Sequence, residues 1–82
     1  MADKQVLERV IKVTSRVLGL DPADIPPSAN FVFDLGAESV QSVALVTGFE
    51  AEFDIDMDRE AALAIQTVEG AAEFVAKHLH NK

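Results

Sequence analysis

Val6, Val10, Val13 and Val17 recur at intervals of 4, 3 and 4 residues, and Leu7, Ile11 and Leu18 flank the same stripe. That is the helical period, not the strand period of two. Lys4, Glu8, Arg9, Lys12 and Arg16 fall mainly on the other face. Valine is a mediocre helix former, so packing must hold this segment more than propensity does. Gly19 is a natural stop.

Residues 19–38 read as a long connection. Pro22, Pro26 and Pro27 break regular structure, and Asp21-Pro22 and Ser28-Ala29-Asn30 add turn chemistry. Long ordered loops are often functional. Leu20, Ile25, Phe31, Phe33 and Leu35 are expected to pin this one onto the core, with a short helical turn near Ala23. A second helix fits from about Ser39 to Phe53, with Val40, Val43, Val46, Phe49 or Ala44, and Phe53 as its buried stripe. Gly48 lies inside it and costs about 1 kcal/mol relative to alanine. A short third helix fits Asp58 to about Ala64, with Asp58 as N-cap. Thr67 then caps a fourth helix, from Val68 to about His80, whose apolar side is Ala71, Ala72, Val75 and Leu79 with Phe74 beside them. The expected fold is all-α: a four-helix bundle with a long loop between helices 1 and 2 and a short third helix, as one domain over residues 1–82.

Charge narrows the partners. The net charge is −7. Between Val17 and Asp58 lie Asp21, Asp24, Asp34, Glu38, Glu50, Glu52, Asp54, Asp56 and Asp58, with no lysine or arginine. Such a middle repels nucleic acid and favours partners with basic docking surfaces. No apolar run approaches the roughly 18 residues of a membrane span. Met1-Ala2-Asp3-Lys4-Gln5 lacks the pattern of a secretory leader. The chain has no cysteine, so it has no disulfide framework, thiolate metal site or cysteine nucleophile, which suits a reducing cytoplasm.

Two chemistries fail on spacing. A hydrolytic serine needs a base within hydrogen-bond reach and an oxyanion hole. The only histidines, His78 and His80, sit near the C-terminus and are expected to be solvated. Gly36-Ala37-Glu38-Ser39 also lacks the paired glycines of a nucleophile elbow. Asp54, Asp56 and Asp58 alternate like the start of a calcium loop, but Arg59 and Ile65 stand where glycine and a carboxylate are needed. No catalytic residue and no metal site is expected.

The informative stretch is Asp34-Leu35-Gly36-Ala37-Glu38-Ser39-Val40. Gly36 lets the chain turn just before a helix. Leu35 and Val40 are expected to anchor either side. Ser39 would sit at the helix start with its hydroxyl exposed, where free N–H groups and the helix dipole favour a phosphodiester. Position alone leaves a plain helix cap as an equal reading.

These seven residues resemble the acyl carrier protein motif Asp-Leu-Gly-Ala-Asp-Ser-Leu. The likeness extends to the leading helix, the long loop, Phe49-Glu50-Ala51-Glu52-Phe53-Asp54-Ile55 and Gln66-Thr67-Val68. The resemblance implies that a phosphopantetheinyl transferase moves 4′-phosphopantetheine from coenzyme A onto Ser39, supported by Asp34, Leu35, Gly36 and Glu38. Acyl groups would then ride on the arm as thioesters. The chain would be a carrier rather than an enzyme, working as a monomer in the cytoplasm. The implied partners, besides the transferase, are acyl-transferring and condensing enzymes with basic docking surfaces, met by Glu38, Val40, Gln41, Ala44, Leu45 and Glu52. Gln41, Ala44 and Ala51 stand where the family commonly has acids, and Val40 replaces the usual leucine. Those departures point to a specialised carrier in fatty-acid, lipid or polyketide-type biosynthesis. A peptidyl or aminoacyl carrier remains an alternative, although Gly36-Ala37 departs from its usual Gly-Gly-x-Ser; so does an unmodified helical adaptor.

Overall fold

The computed structural model describes residues 4–80, with the backbone alone at His80. Met1, Ala2 and Asp3, which bear on the leader, and the His80 side chain lie outside the described residues.

The first helix, α1, spans Lys4–Leu18 and buries Val6, Val10 and Val13, while Val17 is half-buried. Thr14 is fully buried within this valine face. Its hydroxyl donates to the Val10 carbonyl at 2.8 Å, so no polar group is left stranded. Gly19 closes the helix at φ 69°, its N–H on the Ser15 carbonyl at 2.9 Å. A single 3-10 turn, Pro22–Asp24, follows where a helical turn is expected, capped by the Asp21 carboxylate on the Ala23 N–H at 2.9 Å.

Helix α2 spans Ser39–Phe53 and buries Leu45, Val46, Phe49 and Phe53. The expected stripe is thus partly displaced. Val40 is 80% exposed and Val43 37% exposed. Apolar residues occupy both sides of this helix, so periodicity did not select a face. The crossing with α1 does. A Cβ on Gly48 would lie 2.8 Å from Val13 Cγ1 and 3.6 Å from Val17 Cγ2, so the glycine lets the two helices approach closely there. Leu45 belongs to the buried side, not to the surface expected for docking.

Asp54 ends α2 in the left-handed region at φ 52°. Helix α3, Arg59–Leu63, begins with the Asp58 carboxylate on the Glu60 N–H at 3.1 Å. Helix α4, Val68–His80, buries Val68, Ala71, Ala72, Val75 and Ala76. Its cap is Thr67, whose hydroxyl oxygen accepts from the Gly70 N–H at 3.0 Å. His78 is half-buried rather than solvated; its ring lies on Phe74 with centroids 4.6 Å apart.

Helices α1, α2 and α4 enclose the core, and α3 packs against α2. The long loop closes this bundle through Ile25, Ala29 and Phe31, all buried. Phe31 packs near Phe49, with ring centroids 6.4 Å apart. Backbone bonds fix the loop to the start of α4: Phe31 N–H to the Gln66 carbonyl (2.9 Å), Val68 N–H to that of Ala29 (3.1 Å) and Glu69 N–H to that of Pro27 (2.8 Å). Phe33 does not pin the loop, being 87% exposed.

Candidate functional site

The turn ahead of α2 is built on Asn30 and Asp34. The Asn30 side-chain oxygen accepts from the N–H groups of Val32 and Phe33, both at 2.9 Å. The Asp34 carboxylate accepts from the Asn30 N–H at 2.7 Å, while the Asn30 carbonyl accepts from the N–H groups of Asp34 and Leu35 at 2.9 and 3.0 Å. Polar groups of the turn therefore satisfy one another, and Val32 and Phe33 are left facing outward. Gly36 then reverses the chain at φ 73°, a conformation that a side chain would strain. The Ala37 N–H reaches the Phe31 carbonyl at 2.8 Å, and the Ala37 side chain is buried. Leu35 is half-buried, an anchor on the near side of the turn. Val40 anchors nothing on the far side.

Ser39 is the first helical residue, and Glu38 occupies the N-cap position with φ −90° and ψ 171°. The Gln41 side-chain oxygen accepts from the Glu38 N–H at 2.9 Å. Ser42 makes the first helical hydrogen bond, its N–H on the Glu38 carbonyl at 2.8 Å. Ser39 is exposed, and among the described residues its hydroxyl has no hydrogen-bond partner. A capping serine would accept from an N–H two or three residues on. Ser39 does not, so its hydroxyl is left free in front of the N–H groups that open a helix. The residues thus fit a phosphodiester on this oxygen: it is accessible, it caps nothing, and the positive end of α2 lies behind it.

The residues expected to dock partners divide into three groups. Glu38, Val40 and Ala44 are exposed. Gln41 is half-buried and held by the Glu38 N–H, and Leu45 is buried. Glu52 is half-buried and already paired. Arg9 Nε lies 2.8 Å from Glu52 Oε2, a second guanidinium nitrogen donates to the Glu52 carbonyl at 2.6 Å, and the guanidinium sits 4.5 Å from the Phe53 ring centre. The Arg9 hydrogen bond holds the Glu52 carboxyl below its ordinary pKa. Glu50, the other acid of α2, accepts from the Met57 N–H at 3.0 Å. Both carboxylates of the helix therefore serve the fold.

A cavity of about 60 Å³ opens beside α2, lined by Phe31, Ser42, Leu45, Val46, Phe49, Met57, Ala62, Ile65 and Ala71, with Val32 and Leu63 also on its wall. Val32 and Leu63 are half-exposed, at 54% and 47%. Sequence reasoning missed Asn30 as the organiser of the turn and Arg9 as the partner of Glu52. The Asn-x-x-x-Asp spacing was a legible signal for the first. Nothing local marked the second, because its partners are 43 residues apart.

A family model described as a phosphopantetheine attachment site matches residues 8–75. A protein named acyl carrier protein from Phenylobacterium zucineum is 46% identical over 74 residues, covering 90% of this chain and 94% of that one. One of the same name from Caulobacter vibrioides is 44% identical over 72 residues, covering 88% and 92%. A third, from Cyanidioschyzon merolae, is 37% identical over 78 residues, covering 95% and 86%.

Proposed function

The chain belongs to the acyl carrier protein family, and we propose that Ser39 is where it takes 4′-phosphopantetheine. The observation that carries this is the uncapped, exposed hydroxyl at the first residue of α2, with the N-cap position taken by Glu38. In the modification, Ser39 Oγ forms a bond to the phosphorus of the coenzyme A pyrophosphate nearest the pantetheine. The bond to 3′,5′-adenosine diphosphate breaks, and the hydroxyl proton passes to the transferase. Asp34, Leu35 and Gly36 hold the turn that presents the hydroxyl, and Glu38 places a carboxylate beside it for the transferase's metal.

When attached, the arm supplies a terminal thiol that holds acyl groups as thioesters. This chain's own residues supply a docking label and a shelter. The side chains lining the cavity beside α2 are apolar apart from Ser42, and burial against them is worth about 0.8 kcal/mol per methylene. An apolar space of about 150 Å³ holds benzene, so about 60 Å³ suits only the first few carbons of an acyl chain. A longer chain would have to displace Val32 and Leu63.

The chain acts in this reading as a one-domain, monomeric carrier in the cytoplasm, a substrate for other enzymes rather than a catalyst. Its partners are a phosphopantetheinyl transferase and acyl-transferring and condensing enzymes of fatty-acid, lipid or polyketide-type biosynthesis. Basic groups on those enzymes would meet Asp34 and Glu38, which are exposed, rather than Glu50 and Glu52. The test is intact-mass measurement after incubation with coenzyme A and a broad-specificity transferase. One phosphopantetheinyl group is expected on the wild-type chain and none on Ser39→Ala. An unmodified wild-type chain beside a loaded control carrier would refute the proposal and favour a helical adaptor.

A further inference from the structure

Charge is not spread evenly over this chain. Helix α1 carries Lys4, Arg9, Lys12 and Arg16 against Glu8 alone, a net +3 in a chain of net −7. Gln5, Arg9, Lys12 and Arg16 recur at 4, 3 and 4 residues, so they share one face, about 17 Å long at about 1.5 Å per residue. All four are exposed. The Glu52 carboxyl, held low chiefly by the Arg9 hydrogen bond, is lowered further by the charges of Arg9, Lys12 and Arg16, which puts the row on the side of α1 that borders α2. Arg9 is committed to Glu52 and Phe53. Lys12 and Arg16 make no hydrogen bond or ion pair among the described residues. Arg16, in the last turn, complements the helix dipole; Lys12, in mid-helix, has no such role. A surface shaped for solubility alone intersperses the two signs, whereas a row of one sign steers and holds a partner of the other.

We infer that the row formed by Arg9, Lys12 and Arg16 on α1 is a second docking face, which holds a narrow acidic segment of a partner protein while the Ser39 end stays open. The borders of the row set the occupant. Glu8 lies beside it on α1, and Asp21 and Asp24 are exposed just beyond the helix. A membrane surface or a nucleic-acid duplex spreads negative charge widely and would press on those acids as well as on the row; a single acidic helix meets the row alone. Position sets the consequence. Arg9 reaches Glu52, and Val13 and Val17 lie against Gly48, so the row runs beside the far half of α2. Gly48 and Glu52 are nine and thirteen residues past Ser39, about 14 and 20 Å along the helix axis. The chain thus presents Asp34 and Glu38 where enzymes reach Ser39, and cations where they do not. The docking face itself does not depend on the reading of Ser39; only its compatibility with a working arm does.

The test is a nuclear magnetic resonance titration of the isotope-labelled full chain with a helical peptide that carries glutamate at every third or fourth position, and with its glutamine counterpart. The glutamate peptide is expected to shift amide resonances of α1 around Lys12 and Arg16 and to leave those of Ser39 and Val40 in place. Affinity should fall about tenfold between about 0.01 and 0.15 M salt, as the Debye length shortens from about 30 to 8 Å. Lys12→Gln combined with Arg16→Gln should weaken binding about tenfold, Lys12→Arg should keep it, and Arg59→Gln on α3 should leave it within about twofold. Circular dichroism verifies that each variant is folded. No shift in α1, equal binding of the glutamine peptide, or an equal loss in Arg59→Gln overturns the inference. So does tighter binding through the same residues to phosphatidylglycerol vesicles or to duplex DNA, which gives the row to a lipid or nucleic-acid surface. The open Ser39 end is read separately, from the rate of phosphopantetheine transfer at saturating peptide. An unchanged rate supports two independent faces, and a rate that falls with occupancy refutes them. A chain that the transferase does not modify even without peptide removes the attachment reading and leaves the titration to judge the α1 row.

Discussion

Replacing Gly48 with alanine sets two effects of known size against each other. In an isolated helix the change would stabilise by about 1 kcal/mol, because glycine has the greater freedom to lose on folding. In this fold the added Cβ would lie 2.8 Å from Val13 Cγ1. Val13 is fully buried and β-branched, so it has essentially one helical rotamer and no room to swing aside. Overpacking of this kind costs about 1–3 kcal/mol. The clash outweighs the propensity, and Gly48→Ala is expected to destabilise by about 1 kcal/mol, a fall in Tm of about 4–8 °C for a domain of this size. Thermal and urea unfolding followed by far-ultraviolet circular dichroism measures it. The cause is isolated by a double-mutant cycle with Val13→Ala, which removes the clashing methyl. In that background Gly48→Ala should become stabilising, so the two changes couple. A Gly48→Ala protein more stable than wild type, or effects that add to within about 0.5 kcal/mol, would refute the close-approach argument.

The Arg9–Glu52 pair and the guanidinium over Phe53 tie α1 to the end of α2. Arg9 and Glu52 are 48% and 25% exposed, so the ion pair is worth less than about 1 kcal/mol and the ring contact a similar amount. Arg9→Ala should therefore cost about 1 kcal/mol in urea unfolding at neutral pH. Because Arg9 lowers the Glu52 pKa in the folded state, the ionic part of that stability is present above the ordinary value of 4.5 and is lost as pH falls through the lowered one. The gap between wild type and Arg9→Ala should narrow below pH 4.5; a gap that widens in acid contradicts the assignment. Asn30→Ala leaves the Val32 and Phe33 N–H groups without their acceptor, at about 1–2 kcal/mol. It should also slow modification of Ser39, and an unchanged rate would show that the turn does not preorganise the site.

Helix existence and order were legible in the chain because each signal is local. The valine stripe of α1, the proline-broken connection, Asp58 and Thr67 as caps and Gly19 as a stop all act within a few residues, and the structure has each in place. The motif around Ser39 was equally local, and it carried the family resemblance. Which face of α2 is buried was not legible. Apolar residues surround that helix, and its burial is chosen by where α1 crosses at Gly48, a contact between residues 35 positions apart in the chain. For the same reason the sequence placed Leu45 and Glu52 on the docking surface, whereas the core takes one and Arg9 takes the other. Phe33 was assigned to the core for its hydrophobicity alone; the hydrogen bonds that Asn30 makes across the turn leave it exposed. The sequence by itself determined the elements and the family motif around Ser39. The tertiary structure decided what surrounds that serine, because facing depends on contacts between helices far apart in the chain.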